Sequence, residues 1–172
     1  MSNKKTIIGS GLAGPLLAIL LAKRDYSVDL FEKRADLRLK RVSAGRSINL
    51  ALSHRGIEAL KSASVFEMVE PLLIPMKGRM IHQKNGELDF QPYSINAEEY
   101  INSISRSELN KILITAAEDT GKVNIHFSHA LSSIQDNQLE FENSHKVEIE
   151  NEIIGADGSG SVIRKYIDSN CD

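Results

Sequence analysis

The stretch KTIIGSGLAGPLLAILLAKRDYSVDLFE, residues 5–32, leaves fewer folding options than any other part of the chain. Lys5-Thr6-Ile7-Ile8-Gly9 is the short apolar run expected of a parallel strand buried on both faces. It leads into Gly9-Ser10-Gly11-Leu12-Ala13-Gly14, a GxGxxG pattern. A helix is predicted from about Leu12 to Arg24, apolar nearly all round, as a helix covered on several sides would be. Pro15 is tolerated there because first-turn amides have no intrahelical partner. Tyr26 to Phe31 alternates as a second strand and ends at Glu32.

Each part of this βαβ unit suits a dinucleotide. Gly9 permits the tight turn, Gly11 lets the backbone approach a pyrophosphate, and Gly14 allows close helix–strand packing. The helix N-terminus favours phosphate, and Glu32, 18 residues after Gly14, can accept hydrogen bonds from a ribose. A carboxylate at that point argues against a ribose 2′-phosphate, but it does not separate NAD from FAD. An isolated GxGxxG would leave an empty glycine turn as a strong alternative; here the strand, helix, second strand and terminal acid all fall in place.

With 172 residues, 41% hydrophobic and 26% charged, the chain suits one globular domain or part of a larger one. A net charge of −2 and 5% aromatics without Trp provide no surface for nucleic acid. The single cysteine, Cys171, permits no internal disulfide, so a reducing, cytoplasmic setting is expected. Met1–Lys5 followed by Leu16–Ala22 has the outline of a signal peptide. Gly9, Gly11, Gly14 and Pro15 interrupt it, however, and Lys23-Arg24-Asp25 stands where a cleavage site would fall. The apolar run is also too short to span a bilayer.

Between Lys33 and Arg46 lie six basic residues, Lys33, Arg34, Arg38, Lys40, Arg41 and Arg46, against one acid, Asp36. Charge alone favours a solvated loop over a polyanion clamp. Ser43–Gly56 places Ile48, Leu50 and Leu52 among polar and small residues before a helix from about Arg55 to Ala63; it fits a surface strand or a segment laid along a cofactor. Met76–Lys84 and Glu87–Tyr93 flank Asn85-Gly86, a strong hairpin signal that breaks the βαβ rhythm. Arg79 and Tyr93 lie near the hairpin's ends, where most such residues are surface residues. A strand over Tyr100–Ser105 precedes the capping box Ser105-Arg106-Ser107-Glu108 and a helix ending near Gly121. Val123–Phe127 reads as a strand, with antiparallel strands following around 131–134, 139–142 and 146–150. His126 and His129, three apart on that strand, are expected on opposite faces. His54, His82 and His145 have no ligand-spaced partner, so no metal site is expected, and no serine or cysteine nucleophile motif is present.

The chain closes with a second strand–turn–helix, Ile153-Ile154-Gly155-Ala156-Asp157-Gly158-Ser159-Gly160-Ser161-Val162-Ile163-Arg164. Its glycines do not fall at GxGxxG spacing and no ribose-binding acid follows. A second independent dinucleotide site is therefore not expected.

Taken together, these residues resemble the group A FAD-dependent aromatic hydroxylases, whose N-terminal GxGxxG and later Asp-Gly motif close on one FAD. Within that family, AGRSINLALSHRG (44–56), IPMKGRMIH (74–82), QPY (91–93), ISRSELNK (104–111) and ITAAE (114–118) are similar to the branch that hydroxylates L-kynurenine. The resemblance implies an α/β fold: a Rossmann-like FAD-binding domain of parallel sheet plus antiparallel meander, over residues 1–75 and 100–172. A hairpin over 76–99 would belong to a substrate-binding domain.

It also implies roles by position. Ala13 would lie at the phosphate turn with Gly9, Gly11 and Gly14, and Phe31, Glu32, Lys33 and Arg34 around the adenosine ribose. Ala51 would lie beside the cofactor, Arg106 over the flavin or its ribityl-phosphate arm, and Leu131 at the adenine end through its backbone. Asp157 would bind near the ribityl and pyrophosphate, Arg79 would take the substrate carboxylate, and Tyr93 would add a hydroxyl. The implied reaction reduces FAD with NADPH, forms a flavin hydroperoxide with O2 and yields 3-hydroxykynurenine; no catalytic base is nominated. Another aromatic substrate, or a non-catalytic nucleotide-binding module, remains open. Family members continue beyond the Asp-Gly motif, so the chain is expected to be an N-terminal fragment, weak in FAD binding and inactive alone.

Overall fold

The computed structural model describes residues 3–39, 48–96 and 99–170. Lys40, Arg41 and Arg46 of the basic run, the start of the segment at Ser43, and Cys171 lie outside the described residues. The chain divides into two compact units, Met1–Gly45 with Asn110–Asp172, and Arg46–Leu109.

The elements run β1 (Lys4–Ile8), α1 (Ala13–Ala22), β2 (Ser27–Phe31), β3 (Asn49–Leu52), α2 (His54–Ser62) and α3 (Phe66–Val69). Next come β4 (Ile74–Met76), β5 (Gly78–His82), β6 (Leu88–Pro92), β7 (Ile101–Ser105) and α4 (Arg106–Asp119). The last are β8 (Val123–His126), β9 (Leu131–Gln135), β10 (Gln138–Phe141), β11 (Lys146–Glu148), β12 (Ile153–Gly155) and α5 (Val162–Asn170). Among the described residues no helix is long and apolar enough to cross a membrane.

In the first unit a parallel sheet has the order β12-β1-β2-β8. Its central strands are apolar on both faces because both are covered. Ile7 pairs in register with Leu30, and Ile8 with Phe31. Side chains alternate across a strand, so each pair faces one way. Gly14 of α1 sits against Ile7, and a side chain there would strike Gly9 O at 2.0 Å. Ile8 and Phe31 face the opposite way, into a cluster with Leu139, Phe141 and Ile163 that Leu131, Ile134, Val147, Ile149 and Ile153 extend. The antiparallel meander β11-β10-β9 therefore forms a third layer, with α1 on the far side of the sheet. The parallel sheet plus meander expected from sequence is the architecture found.

In the second unit β7 lies between β3 and β4, antiparallel to both. β5 and β6 form a separate hairpin, from Gly78↔Pro92 to His82↔Leu88. The compact unit is wider than the 76–99 excursion because β7 ties both flanking strands to it. At the hairpin turn Gly86 N–H donates to Gln83 O and Gln83 N–H to Glu87 O, with Gly86 at φ +89°. Asn85 keeps a negative φ, so this is a three-residue turn with glycine last rather than a two-residue Asn-Gly turn. The capping box holds in part, since Glu108 N–H donates to Ser105 Oγ at 3.4 Å.

Ile8, 3% exposed, joins the sheet to the meander. Ile8→Ala is expected to destabilise the chain by about 2–5 kcal/mol through lost burial and the cavity left behind. A denaturant titration checks this; a loss below about 1 kcal/mol would contradict the three-layer core.

Candidate functional site

Parallel β1 and β2 end at the same sheet edge, so the turn after β1 and the acid after β2 become neighbours. Gly9 N–H donates to Phe31 O at 2.7 Å, and Ser10 N–H to Glu32 Oε2 at 2.7 Å. Gly9 has φ +106°, and a Cβ there would meet Ala156 O at 2.4 Å. Only glycine lets the two chains approach so closely.

Glu32 is 4% exposed. Its Oε1 also accepts Arg34 N–H at 3.0 Å and Arg34 Nε–H at 2.6 Å. Burial alone would push this carboxyl's pKa up; the Arg34 side chain, the two backbone donors and the Arg34 charge outweigh it, holding the pKa below the usual range. The group thus contributes stability above its ordinary pKa near 4.5, lost as pH falls through the lower folded value.

β12 runs parallel beside β1, with Thr6↔Ile153 and Ile8↔Gly155 in register. Ala156 N–H donates to Ile8 O at 2.7 Å, so the second glycine-rich turn opens at the same edge as the first. Asp157 Oδ2 accepts Val162 N–H at 2.8 Å and Ser161 Oγ accepts Arg164 N–H at 2.9 Å, which together cap α5. Arg164 Nη2–H donates to Ser159 O at 2.6 Å.

Two buried side-chain atoms at these turns, Ser10 Oγ and Asp157 Oδ1, have no hydrogen-bond partner among the described residues. Buried polar atoms are rarely left so, and a bound polar group would satisfy them. Nothing lies within 4 Å of where a Gly11 Cβ would stand, so the turn's backbone is open to approach. These features fit a dinucleotide. Asn110, which sequence reasoning passed over, donates from Nδ2 to Ser10 O and Gly11 O, both at 3.0 Å.

Other expected residues are placed as follows. Ala13 is exposed at the first position of α1, and Lys33 is exposed beyond β2. The Phe31 ring is in the core and stacks on His126 at 4.6 Å, and its carbonyl is taken by Gly9 N–H. Leu131 likewise turns its side chain to the core. Arg38 is held by Asp36 (2.7 Å) and by Glu118 of α4 (2.5 Å), so this cation is part of an ion-pair network. In the second unit Ala51 is exposed on β3, and Arg106 is exposed as the first residue of α4.

Arg79 and Gln91 are cross-strand partners on the hairpin. Arg79 Nε–H and Nη2–H both donate to Gln91 Oε1, at 3.1 and 2.8 Å. Tyr93 N–H donates to Lys77 O at 3.0 Å, which extends the register. Arg79, Gln91 and Tyr93 thus share one face, opposite exposed Met80, Leu88 and Phe90.

The histidines correct one expectation. β8 ends at His126, and a turn with Ser128 at φ +59° brings His129 back, so the rings stand 5.9 Å apart instead of on opposite faces. His145 lies 5.1 Å from His129, with Phe31 and Phe141 alongside. Among the described residues no cluster of His, Cys, Asp or Glu is arranged to hold a metal.

Residues 4–171 match the FAD binding domain family, and the chain belongs to it. Its cofactor is FAD. The chain is 46% identical over 167 residues to a kynurenine 3-monooxygenase of Legionella pneumophila (strain Corby), covering 94% of this chain and 37% of that protein. It is 42% identical over 173 residues to a kynurenine 3-monooxygenase of Myxococcus xanthus (strain DK1622), covering 97% and 37%. The chain therefore spans somewhat over a third of the length of these relatives. Among solved structures, a 2-methyl-3-hydroxypyridine-5-carboxylic acid oxygenase superposes with a TM-score of 0.77 at 23% identity, covering 97% of this chain and 42% of that one, which shows a shared fold.

Glu32→Gln would turn an amide NH2 toward one of the N–H donors. It is expected to destabilise the chain at pH 7 by about 1–3 kcal/mol. Because the carboxylate's contribution vanishes in acid, the variant should lose less stability than the wild type between pH 5 and pH 3. Thermal unfolding across that range is the measurement, and parallel curves would contradict the clasp.

Proposed function

We propose that this chain supplies the FAD-binding part of an aromatic monooxygenase that uses NADPH and O2 to hydroxylate L-kynurenine beside its ring amine, giving 3-hydroxykynurenine. Residues 76–99 would contribute to its substrate-binding domain. The similarity to kynurenine 3-monooxygenases over nearly the whole chain supports the reading.

The observation that carries the substrate side is the Arg79–Gln91 pair. Gln91 Oε1 takes the Nε–Nη2 edge of the guanidinium, leaving the parallel N–H groups of the Nη1–Nη2 end to grip a carboxylate. An amino-acid substrate provides that group. Tyr93, on the same face and 47% exposed, adds a hydroxyl donor.

Bound FAD would supply the redox chemistry, reduction by NADPH and activation of O2. The protein's own contribution is placement. The Gly9–Gly14 turn would take the pyrophosphate, and Glu32, with one lone pair left on Oε2, would take a ribose hydroxyl. Ser10 Oγ and Asp157 Oδ1 would meet polar groups of the cofactor. No side chain here needs to act as acid or base.

In a protein of the relatives' full length carrying this sequence, Arg79→Leu is expected to raise the KM for kynurenine about 30-fold or more, the loss of a charge-assisted pair worth about 2 kcal/mol. Kynurenine-stimulated NADPH oxidation is the assay. Unchanged stimulation would remove the substrate assignment.

A further inference from the structure

We propose that Asn110 is the positioning residue of the phosphate turn, aiming two consecutive backbone amides, Gly11 N–H and Leu12 N–H, at the FAD pyrophosphate. The inference rests on the cofactor reading of the turn and goes beyond it by assigning the residue that shapes it.

Asn110 is 4% exposed, in the second turn of α4, where asparagine is a poor helix former. Burying an amide there is costly unless its hydrogen bonds are made. Its Nδ2 makes two, to the carbonyls of Ser10 and Gly11, 100 and 99 residues away in sequence. Both partners are pure acceptors, so the nitrogen of the amide must face them.

The described chain has no cis peptide bonds. In a trans peptide the C=O and the following N–H point in opposite directions. Pulling Ser10 O and Gly11 O toward Asn110 therefore turns Gly11 N–H and Leu12 N–H away from it. The two preceding amides are already consumed, Gly9 N–H by Phe31 O and Ser10 N–H by Glu32. Leu12, the N-cap of α1, makes no side-chain capping bond to the helix. The result is an anion cradle at the positive end of α1, held from behind by one side chain.

Two independent observations mark the turn as a ligand site: the unpartnered, fully buried Ser10 Oγ and the open space beside Gly11. Asn110 bonds the turn through the carbonyls of Ser10 and Gly11, so it acts by orienting donors and is not a catalytic residue.

The test compares ADP with adenosine, which lacks the phosphates, on wild-type chain, Asn110→Ala and Asn110→Asp, by calorimetric titration at pH 8. N110D keeps the side-chain shape but replaces the donor by an acceptor. Both variants are expected to weaken ADP binding about tenfold or more while changing adenosine binding less than about threefold. Equal losses for the two ligands, or no loss for ADP, overturn the proposal. Wild-type chain that binds ADP no better than adenosine overturns the phosphate-turn reading itself, and the proposal with it.

Should the variants fail to fold, wild-type chain titrated with inorganic pyrophosphate decides the matter by amide NMR. The largest shifts at Gly11 and Leu12 support the assignment. Shifts elsewhere with these two unmoved reject it.

Discussion

The buried carboxylate of Glu32 is the interaction on which the rest of the site depends. A carboxylate removed from water is costly unless donors replace the lost hydration. Here three N–H groups do so, one from Ser10 and two from Arg34. The bond to Ser10 joins the end of β2 to the turn after β1 and fixes where that turn can lie. It also occupies the Ser10 amide, so the donors left for a phosphate begin one residue later. A single ionised group thus sets both the shape of the turn and the order in which its amides are used.

The layering follows from alternation. Ile7 and Leu30 point to the helix layer, Ile8 and Phe31 to the meander, and neither set can reach water. With both faces covered, the open region of this unit's sheet is its carboxyl edge, where parallel strands place their loops. The glycine turn after β1 and the Asp-Gly turn after β12 meet there, with Gly9 backed onto Ala156 too closely for a side chain. The two glycine-rich segments thus open side by side at one edge, the arrangement that the proposed single cofactor site requires.

Local signals are legible in the sequence because their physics is local. The βαβ unit, the hairpin at Asn85-Gly86 and the helix after Ser105 rest on periodicity, turn residues and caps that act within a few positions. Asn110 is not legible in the sequence because nothing nearby distinguishes it from a surface asparagine in a helix; its partners are 100 and 99 residues away. The histidine cluster is hidden in the sequence for a related reason. Strand periodicity holds only to His126, three residues short of His129, and a residue with positive φ, Ser128, reverses the chain between them. Arg79 illustrates an intermediate case. Its residue type and hairpin position were visible, but the orientation imposed by Gln91 required the register.

The pairing of β12 with β1 has a consequence for how the protein is made. Thr6 cannot meet Ile153 until roughly 150 residues have been synthesised, about 8–30 s at ~5–20 residues per second. Until then one edge of β1 lacks its partner, and the Gly9 turn lacks the Ala156–Asp157 backbone against which it closes. Such an unpaired apolar strand can pair with the wrong partner. The order of the segments therefore makes the nascent chain wait, with a central strand of its sheet already made, for the piece that closes the sheet.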